Sequence, residues 1–128
     1  MTHPLAIVVG AARGSGKVAA RALAGRGLHV VVWDVNPDAS DRLVDEIKAA
    51  GGSAEAVIAD ITNKMAAQTA LYSLLDAHPK IDVLVNAAEM EPRTPALRMD
   101  EGEWDRTLDV GVKGAFLVAQ TVARAMQV

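Results

Sequence analysis

The chain has 128 residues, of which 51% are hydrophobic, 23% are charged and none is cysteine. A net charge of −3, with acidic and basic residues interspersed, provides no basic face for nucleic acid, and no apolar run reaches the roughly 18 residues that a membrane span requires. The lack of cysteine excludes disulfides and thiolate metal sites, and the N-terminus shows no signal-peptide pattern, so a cytoplasmic location is the default expectation.

Short apolar runs alternate with segments of helical periodicity along the chain. In chain order, the predicted elements are a strand at 5–9, a helix at about 15–26, a strand at 29–33, a helix at 37–50, a strand at 56–59, a helix at 64–77, a strand at 81–85 and a helix from about 101 onward. The region 99–128 is predicted to form one long or broken helix, because Gly111 and Gly114 weaken its middle.

Each of the first three helices is predicted to bury one apolar face. These faces are Val18, Ala19, Ala22 and Leu23, then Leu43, Val44 and Ile47, then Leu71, Leu74 and Leu75. Strands that read as continuous apolar runs are typical of parallel sheets covered on both sides. We therefore expect a single domain over 1–128 with a three-layer, doubly wound α/β fold, truncated after about four strands in the order 3-2-1-4.

A glycine-rich loop, Gly10-Ala11-Ala12-Arg13-Gly14-Ser15-Gly16, joins the first predicted strand to the first helix. Glycines there let backbone N–H groups and the helix dipole approach a pyrophosphate, although an ordinary glycine-rich turn is the alternative. Asp34, at the end of the second strand, can accept both hydroxyls of an adenosine ribose and would repel a 2′-phosphate. Arg13 favours the opposite preference if it meets that phosphate, and a solvated arginine is equally plausible. We give the Asp34 carboxylate more weight than the Arg13 guanidinium, and this predicts that the chain binds NAD in preference to NADP.

The spacing G-x-x-x-G-x-G of this loop resembles that of the short-chain dehydrogenase/reductase family. Three further segments are similar to family landmarks in the same order: Asp60-Ile61-Thr62 to Asp-x-Ser/Thr, Asn86-Ala87-Ala88 to Asn-Ala-Gly, and Asp109-Val110-Gly111 to Asp-Val-Asn. The resemblance covers essentially the whole chain. With the loop and Asp34, it implies that the following residues bind the cofactor: Gly10, Ala12, Arg13, Gly14, Ser15, Gly16, Asp34, Val35, Asp60, Ile61, Asn86, Ala87, Ala88 and Val110.

Two of these segments carry a qualification. The resemblance gives the Asp60 carboxylate the adenine amino group as its partner, but Thr62 or Asn63 can also cap the next helix, and both roles are compatible. Ala88 stands where the family has glycine, so the resemblance implies a looser or differently angled approach to the cofactor.

No catalytic residue and no metal ligand are predicted in this chain. Gly111 occupies the position of the family's active-site Asn. The family's catalytic Ser and Tyr-x-x-x-Lys lie on the next strand and helix, beyond the position that corresponds to Val128. Tyr72 is followed four residues later by Asp76, which predicts a core or surface role. The three histidines, His3, His29 and His78, lack metal-site spacing and are expected to be structural or solvated.

Association with another chain is expected on two grounds. The predicted strand at 81–85 would leave one apolar edge unpaired, so a second copy or a complementary chain should cover it. The last helix resembles the family's oligomerisation helix, although a helix packed only on its own sheet would show the same stripe. This stripe contains Val118, Ala119, Val122, Ala123 and Met126.

Three functions remain open from the sequence. The chain can be the NAD(P)-binding part of an oxidoreductase that transfers a hydride between the nicotinamide and an alcohol or carbonyl, inactive by itself. It can instead be a non-catalytic NAD-binding protein, which Gly111 and Ala88 favour, or an assembly protein derived from the family. Fold alone does not choose between them, and no substrate is indicated.

Overall fold

The computed structural model describes residues 3–127. Met1, Thr2 and Val128, the last residue of the predicted final helix, lie outside the described residues. The strands are β1 (Leu5–Val9), β2 (His29–Asp34), β3 (Ser53–Ile58) and β4 (Val83–Asn86). The helices are α1 (Gly14–Gly25), α2 (Pro37–Ala49), α3 (Lys64–Ala77), α4 (Glu101–Leu108) and α5 (Ala115–Met126), with a π-helical segment (Asp109–Gly114) between the last two. No helix in this described range combines the length and apolarity that a membrane crossing would need.

The four strands form one parallel sheet in the order β3-β2-β1-β4. The central strand β1 is fully buried, and Ile7 lies opposite Val31 on one side and Leu84 on the other. One face of the sheet packs against α3 and α5, and the other packs against α1 and α2. The predicted three-layer, doubly wound arrangement and its strand order are therefore confirmed.

The predicted strand at 56–59 is displaced from the observed β3, which begins at Ser53. The predicted strand rests on an apolar run, which is typical of strands that are buried on both faces. Ser53 and Glu55 are polar, so the prediction does not include them. β3 lies at the edge of the sheet, where polar side chains are tolerated on an incompletely covered strand.

The start of β4 also differs from the prediction of 81–85. Ile81 is buried, but β4 begins at Val83. Between them, Asp82 bonds to β1 through its side chain as well as its backbone: the Leu5 N–H donates to Asp82 Oδ2 at 2.8 Å, and the Asp82 N–H donates to the Leu5 carbonyl at 3.0 Å. Within the run at 81–85, Ile81 is buried and the last three residues are half-buried, and regular strand pairing begins only at the third residue, Val83.

The predicted inward face of α1 is correct in part. Ala19 and Leu23 are half-buried against the core, whereas Val18 and Ala22 are exposed. The fully buried residues of this helix are Gly16, Ala20 and Ala24, at four-residue intervals. Small side chains face the sheet because α1 starts in the tight loop after β1 and lies close to the strands. The predicted faces of α2 and α3 are largely correct, since Leu43, Val44, Ile47, Leu71 and Leu74 are all buried.

The last helix is broken at the two glycines that the sequence singles out. Gly111 and Gly114 both lie in the π-helical segment, and Gly114 is buried against Ile61. Beyond the break, Val118 and Val122 are buried in the core under the sheet. For these two residues, packing on the chain's own sheet explains the apolar stripe that the sequence left open.

A polar cluster lies on the α3 side of the sheet, where β2 and β3 begin. His29 and His78 both form hydrogen bonds to the carboxylate of Glu55, and His29 also contacts Ser53. Partial burial raises the pKa of Glu55, but the hydrogen bonds from the two histidines lower it, and the net pKa lies below the ordinary value.

The contribution of the core to stability can be tested with two leucines. Leu71 on α3 is 1% exposed, whereas Leu97 in the loop before α4 is fully exposed. We expect Leu71→Ala to lower the free energy of unfolding by about 2–5 kcal/mol, because it removes buried methyl groups and leaves a cavity. Leu97→Ala should change it by less than about 0.5 kcal/mol. Urea unfolding followed by circular dichroism measures both, and equal losses would contradict the described packing.

Candidate functional site

The turn after β1 brings two backbone segments into close contact. Gly10 adopts a φ of +74°, and a Cβ at this position would lie 2.6 Å from the backbone nitrogen of Ala88. The Gly10 N–H donates to the Trp33 carbonyl at 2.8 Å, and the Ala87 N–H donates to the Val9 carbonyl at 2.8 Å. Only glycine satisfies both the backbone conformation and the space, so the turn fixes the carboxyl ends of β1, β2 and β4 against one another.

Gly16 allows α1 to start directly on top of this turn. A Cβ at Gly16 would lie 2.1 Å from the Gly10 carbonyl oxygen, which is far inside van der Waals contact. Gly14 also has a positive φ, +57°, but the space around it is open. The loop therefore uses Gly10 and Gly16 for close packing and Gly14 for its backbone conformation.

The N-terminus of α1 differs from those of α2, α3 and α4 in having no side-chain cap. Arg13 precedes the helix and makes no capping hydrogen bond. The other three helices are capped by Asn36, Asn63 and Asp100, whose side-chain oxygens accept backbone N–H groups at 3.1, 3.0 and 2.7 Å. The first turn of α1 thus presents N–H donors and the positive end of the helix dipole, which suits an anionic group.

Asp34 ends β2 and joins the glycine loop to the start of α2. Its Oδ2 accepts the Ala12 N–H at 3.0 Å, and its Oδ1 accepts the N–H groups of Val35 and Asn36 at 2.8 and 3.1 Å. A carboxylate offers about four lone-pair positions. Three donors therefore hold the group in place, and Oδ2 retains capacity for a further donor.

A cavity of about 510 Å³ opens at the carboxyl ends of the strands. This volume lies within the usual range for small-molecule and cofactor sites. Ten of the predicted cofactor residues line it: Gly10, Ala12, Arg13, Asp34, Val35, Asp60, Ile61, Ala87, Ala88 and Val110. Gly14 and Ser15 line an adjoining cavity of about 320 Å³, which shares Arg13, Ala87 and Glu89 with the first.

The two remaining predicted residues support the cavity from outside its lining. Gly16 is buried beneath the Gly10 carbonyl. Asn86 ends β4, and its Oδ1 accepts the Ala88 N–H at 3.2 Å, which holds the loop after β4. Arg13 reaches the same loop from the opposite side, since its Nη2 donates to the Glu89 carbonyl at 3.3 Å.

The segment after β3 places Asp60 at the cavity and a capping residue at the start of α3. Asp60 lines the cavity, and its Oδ1 accepts the backbone N–H and the hydroxyl of Thr62 at 2.9 and 2.7 Å. Asn63, not Thr62, caps α3. The cap of α3 therefore does not use the Asp60 carboxylate, which lies beside the cavity. Its Oδ2 takes no part in the hydrogen bonds with Thr62.

Sequence reasoning missed several residues of the lining. Trp33 is buried, and its indole N–H donates to the Ala59 carbonyl at 3.0 Å, which closes the cavity floor between β2 and β3. Met90 and Arg106 come from the loop after β4 and from α4. The apolar run of β2 pointed to Trp33 as a core residue, but no local pattern marks Arg106, because only the tertiary fold brings α4 to the cavity.

Two residues bear on catalysis. The space around Gly111 is open, with no atom within 4 Å of a Cβ built there, so the lack of a side chain is not imposed by packing. Tyr72 lies exposed on α3 and is not part of the cavity lining, in agreement with its predicted core or surface role.

Comparison with known proteins identifies the family. The family model described as "short chain dehydrogenase" matches residues 4–128. A 3-oxoacyl-[acyl-carrier-protein] reductase of Synechocystis sp. is 39% identical over 127 residues, covering 98% of this chain and 51% of the relative. An NAD-dependent glycerol dehydrogenase of Listeria innocua is 34% identical over 126 residues, covering 98% and 48%.

A solved structure shows the same fold. The crystal structure of a metagenomic short-chain oxidoreductase in complex with NADP superposes with a TM-score of 0.90 at 34% identity, covering 98% of this chain and 57% of the other. The chain spans about half the length of the curated relatives that it matches.

The packing of the glycine turn can be tested by adding one methyl group. Gly16→Ala should destabilise the chain by about 1–3 kcal/mol, because the new Cβ meets the Gly10 carbonyl and the turn must shift. Gly25→Ala, at the other end of α1 in open space, should be neutral or stabilise by up to about 1 kcal/mol. Denaturant titrations compare the two, and a Gly16→Ala variant as stable as Gly25→Ala would show that the turn is not packed in this way.

Proposed function

Because the chain belongs to the short-chain dehydrogenase family, we propose that it is the NAD-binding part of an oxidoreductase acting on an alcohol or carbonyl substrate. The cofactor, when bound, supplies or accepts the hydride. The observation that carries the proposal is the uncapped N-terminus of α1, which opens beside the cavity that Asp34 also lines.

The residues present fit a dinucleotide. The open N–H groups at the start of α1 would bind the pyrophosphate, and no Cβ at Gly14 blocks their approach. Within residues 3–127, Asp34 Oδ2 accepts one hydrogen bond, from the Ala12 N–H, and it would also accept the adenosine ribose hydroxyls. Asp60 would accept from the adenine amino group, as the family resemblance implies. The nicotinamide half would extend along Ala87, Ala88 and Val110.

The positions of two charged side chains support a preference for NAD over NADP. A ribose 2′-phosphate would lie next to the Asp34 carboxylate, and juxtaposed like charges cost several kcal/mol. Arg13 and Arg106 both line the cavity, and the Arg13 guanidinium already donates to the Glu89 carbonyl across the loop. If Arg13 were to meet the 2′-phosphate, it would have to give up that contact.

The cofactor preference is tested by calorimetry with NAD and NADP on the purified chain. We expect NAD to bind at least about tenfold more tightly than NADP, because only the 2′-phosphate meets the Asp34 charge. Asp34→Asn should weaken NAD and reduce the preference, since it removes that charge and one ribose acceptor. Asp45→Asn, which makes the same charge change on the exposed side of α2, should change neither affinity. Equal or tighter NADP binding would contradict the proposal.

A non-catalytic NAD-binding role is the second candidate, and Gly111 favours it. The position is open enough for a side chain, so packing does not explain why the amide is replaced by glycine. The two candidates share cofactor binding and differ in turnover. Adding the C-terminal half of a family member, which would pair with the edge of β4, and measuring NADH formation from simple alcohols separates them. Turnover supports the oxidoreductase, whereas NAD binding without turnover supports the binding protein.

We also propose that the chain self-associates through the outer surface of its last two helices. Four large apolar side chains are exposed there at four-residue intervals: Trp104, Leu108, Val112 and Phe116. Scattered apolar residues are normal on a surface, but a continuous row of this size is typical of an interface. The row differs from the stripe named from the sequence, of which Val118 and Val122 face the core.

Sedimentation velocity over a range of concentrations tests this surface. Phe116→Ser should weaken self-association by at least about tenfold, because large apolar side chains at the centre of an interface carry much of its energy. Tyr72→Ser is a matched control, since both aromatic residues are 60% exposed and Tyr72 lies on α3. A monomeric wild-type chain, or equal effects of the two variants, would refute the proposal.

A further inference from the structure

A second cluster of functional groups lies at the opposite end of the sheet from the cavity. His29 is the first residue of β2, Glu55 lies on β3, and His78 is the C-cap of α3. His29 and Asp34 stand at the two ends of β2, about 16 Å apart along the strand. The cluster therefore shares no residue with the candidate dinucleotide site.

The three side chains converge on one point. The Nε2 atoms of His29 and His78 lie 2.7 and 2.8 Å from the same oxygen, Glu55 Oε2. The two imidazole rings are also stacked, with their centroids 4.9 Å apart. Together the ligand atoms of the three residues lie within 4.8 Å of one another.

We propose that His29, Glu55 and His78 bind a divalent transition-metal ion, with Zn²⁺ as the best-matched ion. Two imidazole nitrogens and one carboxylate are a ligand set that suits Zn²⁺, with a fourth position left for water. The ion would take the place of the two Nε2 protons that neutral imidazoles direct at Glu55, and each imidazole would carry its proton on Nδ1 instead. The charge of the ion would offset the negative charge of the Glu55 carboxylate.

The two nitrogen–oxygen distances permit this with a small movement of Glu55. Ligand atoms around tetrahedral Zn²⁺ are about 3.3 Å apart, given bonds of about 2.0–2.1 Å. The nitrogen–oxygen distances in the cluster are roughly 0.5 Å shorter, as expected for hydrogen bonds that hold the metal-free site together. Glu55 can withdraw by this amount because its side chain is flexible and 39% exposed.

Ser53 provides a supporting contact of the kind found around metal-bound histidine. Its hydroxyl lies 2.5 Å from His29 Nδ1. A hydroxyl can donate to this nitrogen while His29 Nε2–H bonds to Glu55, and it can accept from Nδ1–H when Nε2 binds a metal. Ser53 thus stabilises His29 in both tautomers.

Solvent can reach the site. The His29 and His78 side chains are 16% and 27% exposed, so the cluster is sheltered but not sealed. Water can therefore fill the fourth position, and an ion can enter without unfolding of the chain. His3, the remaining histidine, is exposed and lies outside the cluster.

Calorimetry with Zn²⁺ on the metal-free chain, at mildly alkaline pH, tests the proposal. We expect one Zn²⁺ per chain and a rise in Tm of about 5 °C or more when free Zn²⁺ exceeds Kd about 100-fold. Co²⁺ should show the visible absorption of a nitrogen- and oxygen-ligated ion. Added NAD should leave the Zn²⁺ affinity unchanged, because the two sites share no residue.

Three substitutions and one control identify the ligands. Glu55→Gln and His78→Gln preserve hydrogen-bonding capacity and should each weaken Zn²⁺ at least tenfold, while Ser53→Ala should weaken it about 10–100-fold. His3→Gln removes a histidine outside the cluster and should leave the affinity unchanged. Circular dichroism spectra matching the wild type would show that the variants fold.

Several results would overturn the metal site. These are no saturable Zn²⁺ binding, binding that His3→Gln abolishes and His78→Gln does not, or half an equivalent of Zn²⁺ accompanied by dimerisation. In each case the three residues would form only a hydrogen-bonded cluster between β2, β3 and α3.

Discussion

The close contact between the turn after β1 and the loop after β4 is the constraint on which the rest of the structure depends. At Gly10, a positive φ and a backbone approach too tight for any Cβ coincide. Backbone hydrogen bonds then join the ends of β1, β2 and β4. Because the chain crosses to opposite faces of the sheet on either side of β1, the strand ends diverge around this contact and leave a cavity there.

The same closeness decides how the helices pack. Since α1 starts on top of the turn, the residues that it buries fully are small, namely Gly16, Ala20 and Ala24, while Leu23 packs at the edge of the core and Val18 is exposed. At the other side of the cavity, the π-helical segment lets buried Gly114 pack against Ile61. Val118 and Val122 then enter the core, while Trp104 and Phe116 remain on the surface. Core and candidate interface are thus separated on one continuous helical region.

Strand β2 connects two chemically different ends of the molecule. Its four middle residues are buried, and its two polar ends are His29 and Asp34. Asp34 is held by three backbone donors at the cavity. His29 contacts Ser53 and Glu55 on β3 and stacks on His78 from α3. The buried middle of β2 keeps the candidate dinucleotide site and the proposed metal site apart on one sheet.

The sequence by itself determined the kind and order of the elements, the strand order, the glycine turn and Asp34, because these depend on local periodicity or on residues next to a strand end. It did not reveal the fully buried small residues of α1 or the place of Arg106, which depend on how closely elements pack. It also did not reveal the cluster of His29, Glu55 and His78, whose members are 26 and 23 residues apart. Only the register of β2 against β3, and the position where α3 ends above them, brings those side chains together. No local pattern encodes such a contact.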